Sequence, residues 1–280
     1  MTNDKHTISI ATVNTFFDGI STKDMSFARW IWVHIYTFLR MRFKIRKAQI
    51  NRKEDHPIEQ VIKYHNPTII NANEVINAKW GSNTFELLKN SGYDQMVFGA
   101  SPTPKNNLTR LNLVACRAPG KRVKMGIENE DGSRFCCFEL ERTVTQIIDV
   151  LTSPFYPTPR TKQINSVINY GIEQLKNGKK VVIMGDMNCE LEGLPFYNII
   201  IEHFQVVTDN TFPNPKLMNS INRVWQPFRW LGKYVLSINK GHQKLDYILL
   251  PKSLEIIAKH TVTTVSDHRS IVVKVDPDEL

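Results

Sequence analysis

The segment VVIMGDMNCE, Val181 to Glu190, carries four apolar residues into Gly185 and then delivers Asp186 and Asn188 at once. On extended chain, residues two apart share a face, so this carboxylate and this carboxamide point at one spot. Gly, Asp and Asn also make ordinary turns, so the pair gains meaning only if other strands stop the same way. Four do: Asn14 closes TISIATVN, Glu74 closes TIINANEV, Asp246 opens DYILL, and Asp267 and His268 directly precede SIVVKV. If those ends meet, one crevice holds Glu74, Asp186, Asp246, Asp267, Asn14, Asn188 and the His268 imidazole. Unpaired carboxylates gathered together repel and raise one another's pKa; a divalent cation removes the conflict. Oxygen ligands without cysteine favour a hard ion, Mg²⁺ or Mn²⁺, over zinc. An Asp that hydrogen-bonds the histidine would orient the ring. Hydrolysis of a phosphate ester needs this combination of a cation, a polarised water and donors for developing charge.

The elements that must position these residues are legible in outline. HPIEQVIKYH reads as a short helix, broken by Asn66-Pro67, before TIINANEV returns as a strand. TFELLKNSGY reads as a helix with a Ser-Gly stop and GYDQMVFG as a strand. TRLNLVACR, KRVKMGIEN, SRFCCFELE and TVTQIIDVLT read as four consecutive strands, with NEDG a hairpin turn. TPRTKQINSVINYGIEQLK places Ile164, Val167, Ile168, Ile172 and Leu175 on one helical face. EGLPFYNIIIEHF reads as a helix, Thr208 to Gly241 as loop, and KLDYILLP, HTVTTVS and SIVVKV as late strands. Many strands in two groups with few helices predict one layered α/β domain over residues 1–280.

At these residues the sequence resembles the endonuclease/exonuclease/phosphatase superfamily, the fold of pancreatic deoxyribonuclease, abasic-site endonucleases, neutral sphingomyelinases and inositol-polyphosphate 5-phosphatases. The matching pieces, in family order, are ATVNT around Asn14, PTIINANEV with Glu74, VVIMGDMN with Asp186 and Asn188, KLDYILLP with Asp246, and VSDHRSIVVKV with Asp267 and His268. NLVACRAP is similar to the family's central strand and Arg-x-Pro element, and RTKQ (Arg160 to Gln163) to its helix start. The resemblance implies a four-layer sandwich of two mostly antiparallel or mixed β-sheets flanked by helices, and a Mg²⁺-dependent phosphoric ester hydrolase. It implies that Glu74, helped by Asn14 and Asp267, holds the metal. Asp186 would position the attacking water, Asn188 would contact the phosphate, and Asp246 would pair with His268, which sits on the scissile phosphate. Asn14, Asn188, Arg160 and Tyr156 are the expected substrate contacts.

One element of the family pattern is missing. A histidine usually ends a middle strand, and counting back from RTKQ puts Val150 near that position. Between His65 and His203 this chain has no histidine. Either Tyr156, His203 or His242 substitutes, or the leaving group needs little protonation, or the chain binds an anion without turning it over.

Lys plus Arg exceed Asp plus Glu by 36 − 27 = 9, which suits an anionic partner, with nucleic acid favoured over a phospholipid surface. Between residues 20 and 56 lies an apolar and basic insertion. Its Trp30, Trp32, Tyr36 and Phe38 stand beside Arg40, Arg42, Lys44, Arg46 and Lys47, so residues 27–47 suit a core helix, a phosphate backbone or a peripheral membrane contact. Residues 222–242 interleave Trp225, Phe228, Trp230 and Tyr234 with Arg223, Arg229, Lys233 and Lys240, which suits stacking on bases or docking on headgroups. No obligate protein partner is implied. The four cysteines fit neither a zinc nor a disulfide framework, and the N-terminus has no apolar signal core, so a cytoplasmic, reducing location is expected, with membrane association open.

Overall fold

The computed structural model describes residues 7–15, 56–75, 83–98, 111–117, 120–128, 134–140, 145–152, 157–213, 243–264, 266–276 and 280. Tyr156, His242, the NEDG turn, the surface at 222–242 and all of the insertion except His56 lie outside them.

Strand β1 (Ile8–Asn14) is followed by helix α1 (Pro57–His65) and β2 (Ile69–Val75), then α2 (Asn83–Asn90), β3 (Gln95–Phe98) and β4 (Leu111–Cys116). Strands β5 (Gly120–Glu128), β6 (Arg134–Leu140) and β7 (Thr145–Leu151) precede the long helix α3 (Pro157–Lys176) and β8 (Lys180–Asp186). Helix α4 (Tyr197–His203), β9 (Phe204–Thr208), β10 (Asp246–Pro251), β11 (Ile256–Thr263) and β12 (Arg269–Val275) complete the described elements. Local chemistry explains the boundaries. α1 starts where the His56 ring accepts a hydrogen bond from the Ile58 N–H at 3.2 Å, with Pro57 preset for the first turn. It ends at Asn66, left-handed at φ 43°, whose N–H caps the Ile62 carbonyl.

The strands form two six-stranded sheets, ordered β11-β12-β1-β2-β4-β3 and β5-β6-β7-β8-β10-β9. β1 with β2 and β7 with β8 are parallel, and each of these pairs is bridged by a connection containing a helix. The remaining pairs are antiparallel. Ile10, Ile69 and Val273 of one sheet meet Ile147, Val182, Met184 and Leu250 of the other in a central core. α3 and α4 cover the outside of the second sheet through Ile164, Val167, Ile168 and Ile200, while α1 and α2 cover the first through Ile58, Val61 and Leu88. The result is the four-layer α/β sandwich the sequence implied. Each fully buried aliphatic side chain contributes roughly 1.5–3 kcal/mol.

Three local readings differ. EGLPFYNIIIEHF is not one helix: Gly193 and Pro195 interrupt it, leaving a 3-10 turn at Leu191–Gly193 and the seven-residue α4. β9 follows without a linker, because Val206 and Val207 extend the chain along β10. β11 begins at Ile256, earlier than HTVTTVS, as an edge strand with mixed exposure that blurs its period. Among the described residues no helix is long and apolar enough to cross a membrane.

Candidate active site

β8 and β10 run antiparallel with Asp186 directly opposite Asp246, so two buried carboxylates leave adjacent strand ends side by side. Gly185 makes this possible. Its φ is +143°, and a Cβ there would lie 1.9 Å from the Val150 carbonyl oxygen of β7, so no side chain fits. Beyond it the chain turns at Asn188, left-handed at φ 51°, and the Asn188 N–H donates to Asp186 Oδ1 at 2.8 Å. One N–H of the Asn188 amide donates to the Thr152 carbonyl at 3.0 Å, and Arg160 in the first turn of α3 donates to the Asn188 carbonyl at 2.7 Å.

Two hydrogen bonds cross between the sheets and close this group. Asn14 at the end of β1 donates from Nδ2 to Asp186 Oδ2 at 3.3 Å. The His268 ring, just before β12, shares a 2.7 Å hydrogen bond between Nδ1 and Asp246 Oδ2. Ser266 Oγ accepts from the His268 N–H at 3.2 Å, and the Phe212 ring stands 4.8 Å from the imidazole. Thr211 Oγ accepts from the N–H groups of Leu245 and Asp246 at 3.1 and 3.2 Å, and its carbonyl accepts from the Arg269 N–H. One short segment therefore braces both partners of the Asp–His pair.

Asp186, Asp246 and His268 each present a ligand atom within 4.8 Å of the others. Burial, then the charge of Asp246 and more weakly of Glu74, pushes the Asp186 carboxyl up to about 8, against the opposing pull of His268 and the Asn188 N–H. Burial disfavours a charged His268, but the charge and hydrogen bond of Asp246, with Asp267 and Asp186, override it and raise the imidazole to about 10. Asp246 Oδ1 is buried without a hydrogen-bond partner. A buried carboxylate oxygen left unsatisfied, beside a second carboxyl whose ionised form is disfavoured by burial and by that neighbour, is what a hard divalent cation would relieve, so the residues fit that group.

The seven expected chemistry-bearing residues fall into place unequally. Asn14 and Asn188 are each hydrogen-bonded to Asp186, and His268 to Asp246, with the two carboxylates opposite each other in the β8–β10 pair, and Arg160 reaches the first set through the Asn188 backbone. Glu74 ends β2 half-buried, left-handed at φ 60°, and bears on the group through its charge on Asp186. Buried Asp267 accepts from Ser266 Oγ at 3.4 Å and acts through its charge on His268. The three-residue convergence is thus Asp186, Asp246 and His268, with Glu74 and Asp267 flanking it.

The position of the missing histidine and one alternative for it change. Val150 packs in the outer core beneath α3, and the residue directly beside Asp186 across the β7–β8 pair is Leu151. His203 precedes Phe204, which pairs with Pro251, five residues along β10 from Asp246. At about 3.3 Å per residue that is roughly 17 Å away, so His203 does not substitute. Beside the Asn188 turn, burial pushes the Cys189 thiol up to about 11. Sequence reasoning missed Thr152, Thr211 and Phe212. Thr152 lies in a strand end like any other, and the latter two fall in a stretch that reads as loop.

With this mouth at the end of a two-sheet sandwich, the chain has the deoxyribonuclease I-like fold shared by endonuclease/exonuclease/phosphatase structures. An AP endonuclease from Archaeoglobus fulgidus is similar over 96% of this chain and 99% of its own, at 16% identity and a TM-score of 0.58. An endonuclease/exonuclease/phosphatase from Bacteroides vulgatus is similar over 97% and 99%, at 15% identity and 0.54. The human Nocturnin catalytic domain, solved with a bound sulfate anion, is similar over 96% and 94%, also at 15% and 0.54. No family model matches the sequence, and no curated protein does.

Proposed function

We propose that this chain is a divalent-cation-dependent phosphoric ester hydrolase, a phosphodiesterase acting on nucleic acid. The observation that carries the reading is the pair of crossing hydrogen bonds, Asn14 to Asp186 and Asp246 to His268, which gathers residues from both sheets at one mouth. Asp186 and Asp246, with Glu74, Asn14 and Asp267 around them, are the residues that would hold Mg²⁺ or Mn²⁺. When bound, the cation supplies Lewis acidity and charge neutralisation at a phosphoryl oxygen. Burial and the charge of Asp246 raise the Asp186 carboxyl in the absence of a cation; with its ionised form restored by a cation, Asp186 is placed to take a proton from an attacking water. His268, protonated and held through Nδ1 by Asp246, keeps Nε2–H free to donate to the negative charge that develops on phosphate. Arg160 fixes the Asn188 turn and brings positive charge to the same rim, with Tyr156 a further substrate contact.

Nucleic acid is favoured by the surplus of nine positive charges and by the fold shared with an abasic-site endonuclease. Lipid is the competing anionic substrate, through residues 27–47. A second reading, a binding module with little turnover, draws on Leu151, an apolar residue where the mouth would accept a proton donor. Assay of DNA, RNA, sphingomyelin and inositol phosphates with and without Mg²⁺ decides among them. Cation-dependent cleavage of DNA or RNA, lost in His268→Ala, is expected. Cleavage of sphingomyelin or inositol phosphates alone would move the chain to the lipid reading, and binding without cleavage to the second.

A further inference from the structure

One tier below the mouth, the inter-sheet layer contains a polar cluster that the proposed chemistry does not use. Thr12, Asn71, Asn73 and Asp149 are all fully buried there. Asn71 on β2 donates from Nδ2 to Asp149 Oδ1 on β7, a hydrogen bond from one sheet to the other. Asn71 Oδ1 in turn accepts from Thr12 Oγ1 at 2.9 Å and from Asn73 Nδ2 at 3.0 Å. A buried carboxylate is costly unless bonded, and two aliphatic residues would fill this space at lower desolvation cost, as Ile69 and Ile147 do one tier deeper. What the polar pair adds is direction, since a hydrogen bond fixes relative position in a way that aliphatic contact does not.

The directed contacts lead to the site from both sides. The Asn73 carbonyl accepts from both the N–H and the Oγ of Thr15, at 2.9 Å each, which locks the residue after Asn14 to the residue before Glu74. On β7, Asp149 lies two residues before Leu151, the partner of Asp186, and three before Thr152, whose carbonyl holds the Asn188 amide. We infer that Asp149 is a positioning residue. Through Asn71 it sets the strand ends bearing Asn14 and Glu74 against those bearing Asp186 and Asn188. Its consequence for catalysis rests on the phosphodiesterase reading; its consequence for geometry does not.

The test exchanges the two chemistries. Asp149→Asn trades the carboxylate for a weaker amide acceptor, and Asn71→Asp sets two carboxylates face to face. Combining the two substitutions keeps one carboxylate and one amide across the gap, and the carboxylate now on β2 can still accept from Thr12 and Asn73. Three readouts are taken on the full chain: the Asn14 side-chain amide resonance, Mn²⁺ affinity by calorimetry, and kcat and KM separately on a DNA substrate. Asn71→Asp is expected to shift the Asn14 resonance, weaken Mn²⁺ about tenfold and lower kcat about tenfold at unchanged KM, Asp149→Asn to move the same readouts in the same direction by less, and the double substitution to restore all three. An unshifted Asn14 resonance and unchanged Mn²⁺ affinity in Asn71→Asp overturn the inference, as does a folded double variant that restores nothing. Asp149→Leu, which offers no acceptor, decides where Asn71→Asp fails to fold. If the parent chain neither binds Mn²⁺ nor cleaves DNA while the Asn14 resonance shifts and is restored, the phosphodiesterase reading falls and the cross-sheet positioning stands.

Discussion

The two ends of the inter-sheet layer are built from the same strands and do opposite work. Towards the closed end the inward residues are Ile10, Ile69, Val182, Leu250 and Val273, all buried in one apolar cluster. Towards the mouth the same inward faces carry Thr12 and Asn14 on β1, Asn71 and Asn73 on β2, Asp186 on β8 and Asp246 on β10. The period of two continues while hydrophobicity drains out of every one of these strands in the same direction. The closed end supplies stability, and the mouth spends some of it. Left-handed backbone at Glu74 and Asn188, an unsatisfied Asp246 oxygen and a protonated Asp186 are all concentrated there. Strain and unsatisfied polarity gathered at one end of an otherwise well-packed layer are the mark of a site rather than a packing failure.

Substitution at either end should therefore separate activity from stability. The largest effect is expected for His268→Ala or Asp186→Ala, which should lower the rate of cation-dependent phosphodiester cleavage by about 10³–10⁴-fold while leaving the chain folded. Retention of full activity in either variant would remove the mouth from the chemistry. Gly185→Ala comes next. The added Cβ has no space against the Val150 carbonyl, so a loss of about 3–4 kcal/mol in denaturant unfolding, or failure to fold, is expected. Leu250→Ala probes the closed end: it should cost about 2–5 kcal/mol, with kcat and KM unchanged in the protein that remains folded. A large fall in kcat from Leu250→Ala would show that the two ends are not separable.

Much of this division can be read in the chain, because strand ends announce themselves when a Val/Ile run stops on Asp, Asn or His. The convergence of Asn14, Asp186, Asp246 and His268 was legible that way, and so was the layered architecture. Asp149 was not, since a single carboxylate inside TQIIDVL looks like the polar member of an alternating strand. Only the opposing sheet shows that it faces inward onto Asn71. Thr211 and Phe212 escaped for a different reason. Their roles depend on where a connection returns to the fold, through backbone pairing of Phe212 with Gln243, and local composition carries no trace of that. Val150 and Leu151 differ by one residue of register, and one residue reverses which face a side chain takes.

A slope in pH separates the two ends without any substitution. Without cation, the folded chain holds a proton on Asp186 up to about 8, against 3.8 for the free side chain, and on His268 up to about 10, against 6.5. Both folded-state values are raised. Each group therefore contributes stability that is fully present below its unfolded pKa and is lost as pH climbs through its folded pKa. Stability should fall with rising pH from about 4 to 10, most steeply between 6.5 and 8 where the two windows overlap. Each proton contributes at most about 1.4 kcal/mol per pH unit. Chemical denaturation in EDTA at pH 6, 7, 8 and 9 measures the slope. Mg²⁺ should oppose it, because a cation favours the ionised Asp186 and binds more tightly as that proton leaves. Asp186→Asn should flatten the slope below about pH 6.5 and roughly halve it between 6.5 and 8, and His268→Gln should flatten the part above 8. Leu250→Ala, by contrast, should move the whole profile down without changing its shape, because the leucine side chain does not titrate. A flat profile in EDTA between pH 6.5 and 8 would mean that the charges at the mouth are already balanced, and the need for a cation there would go with them.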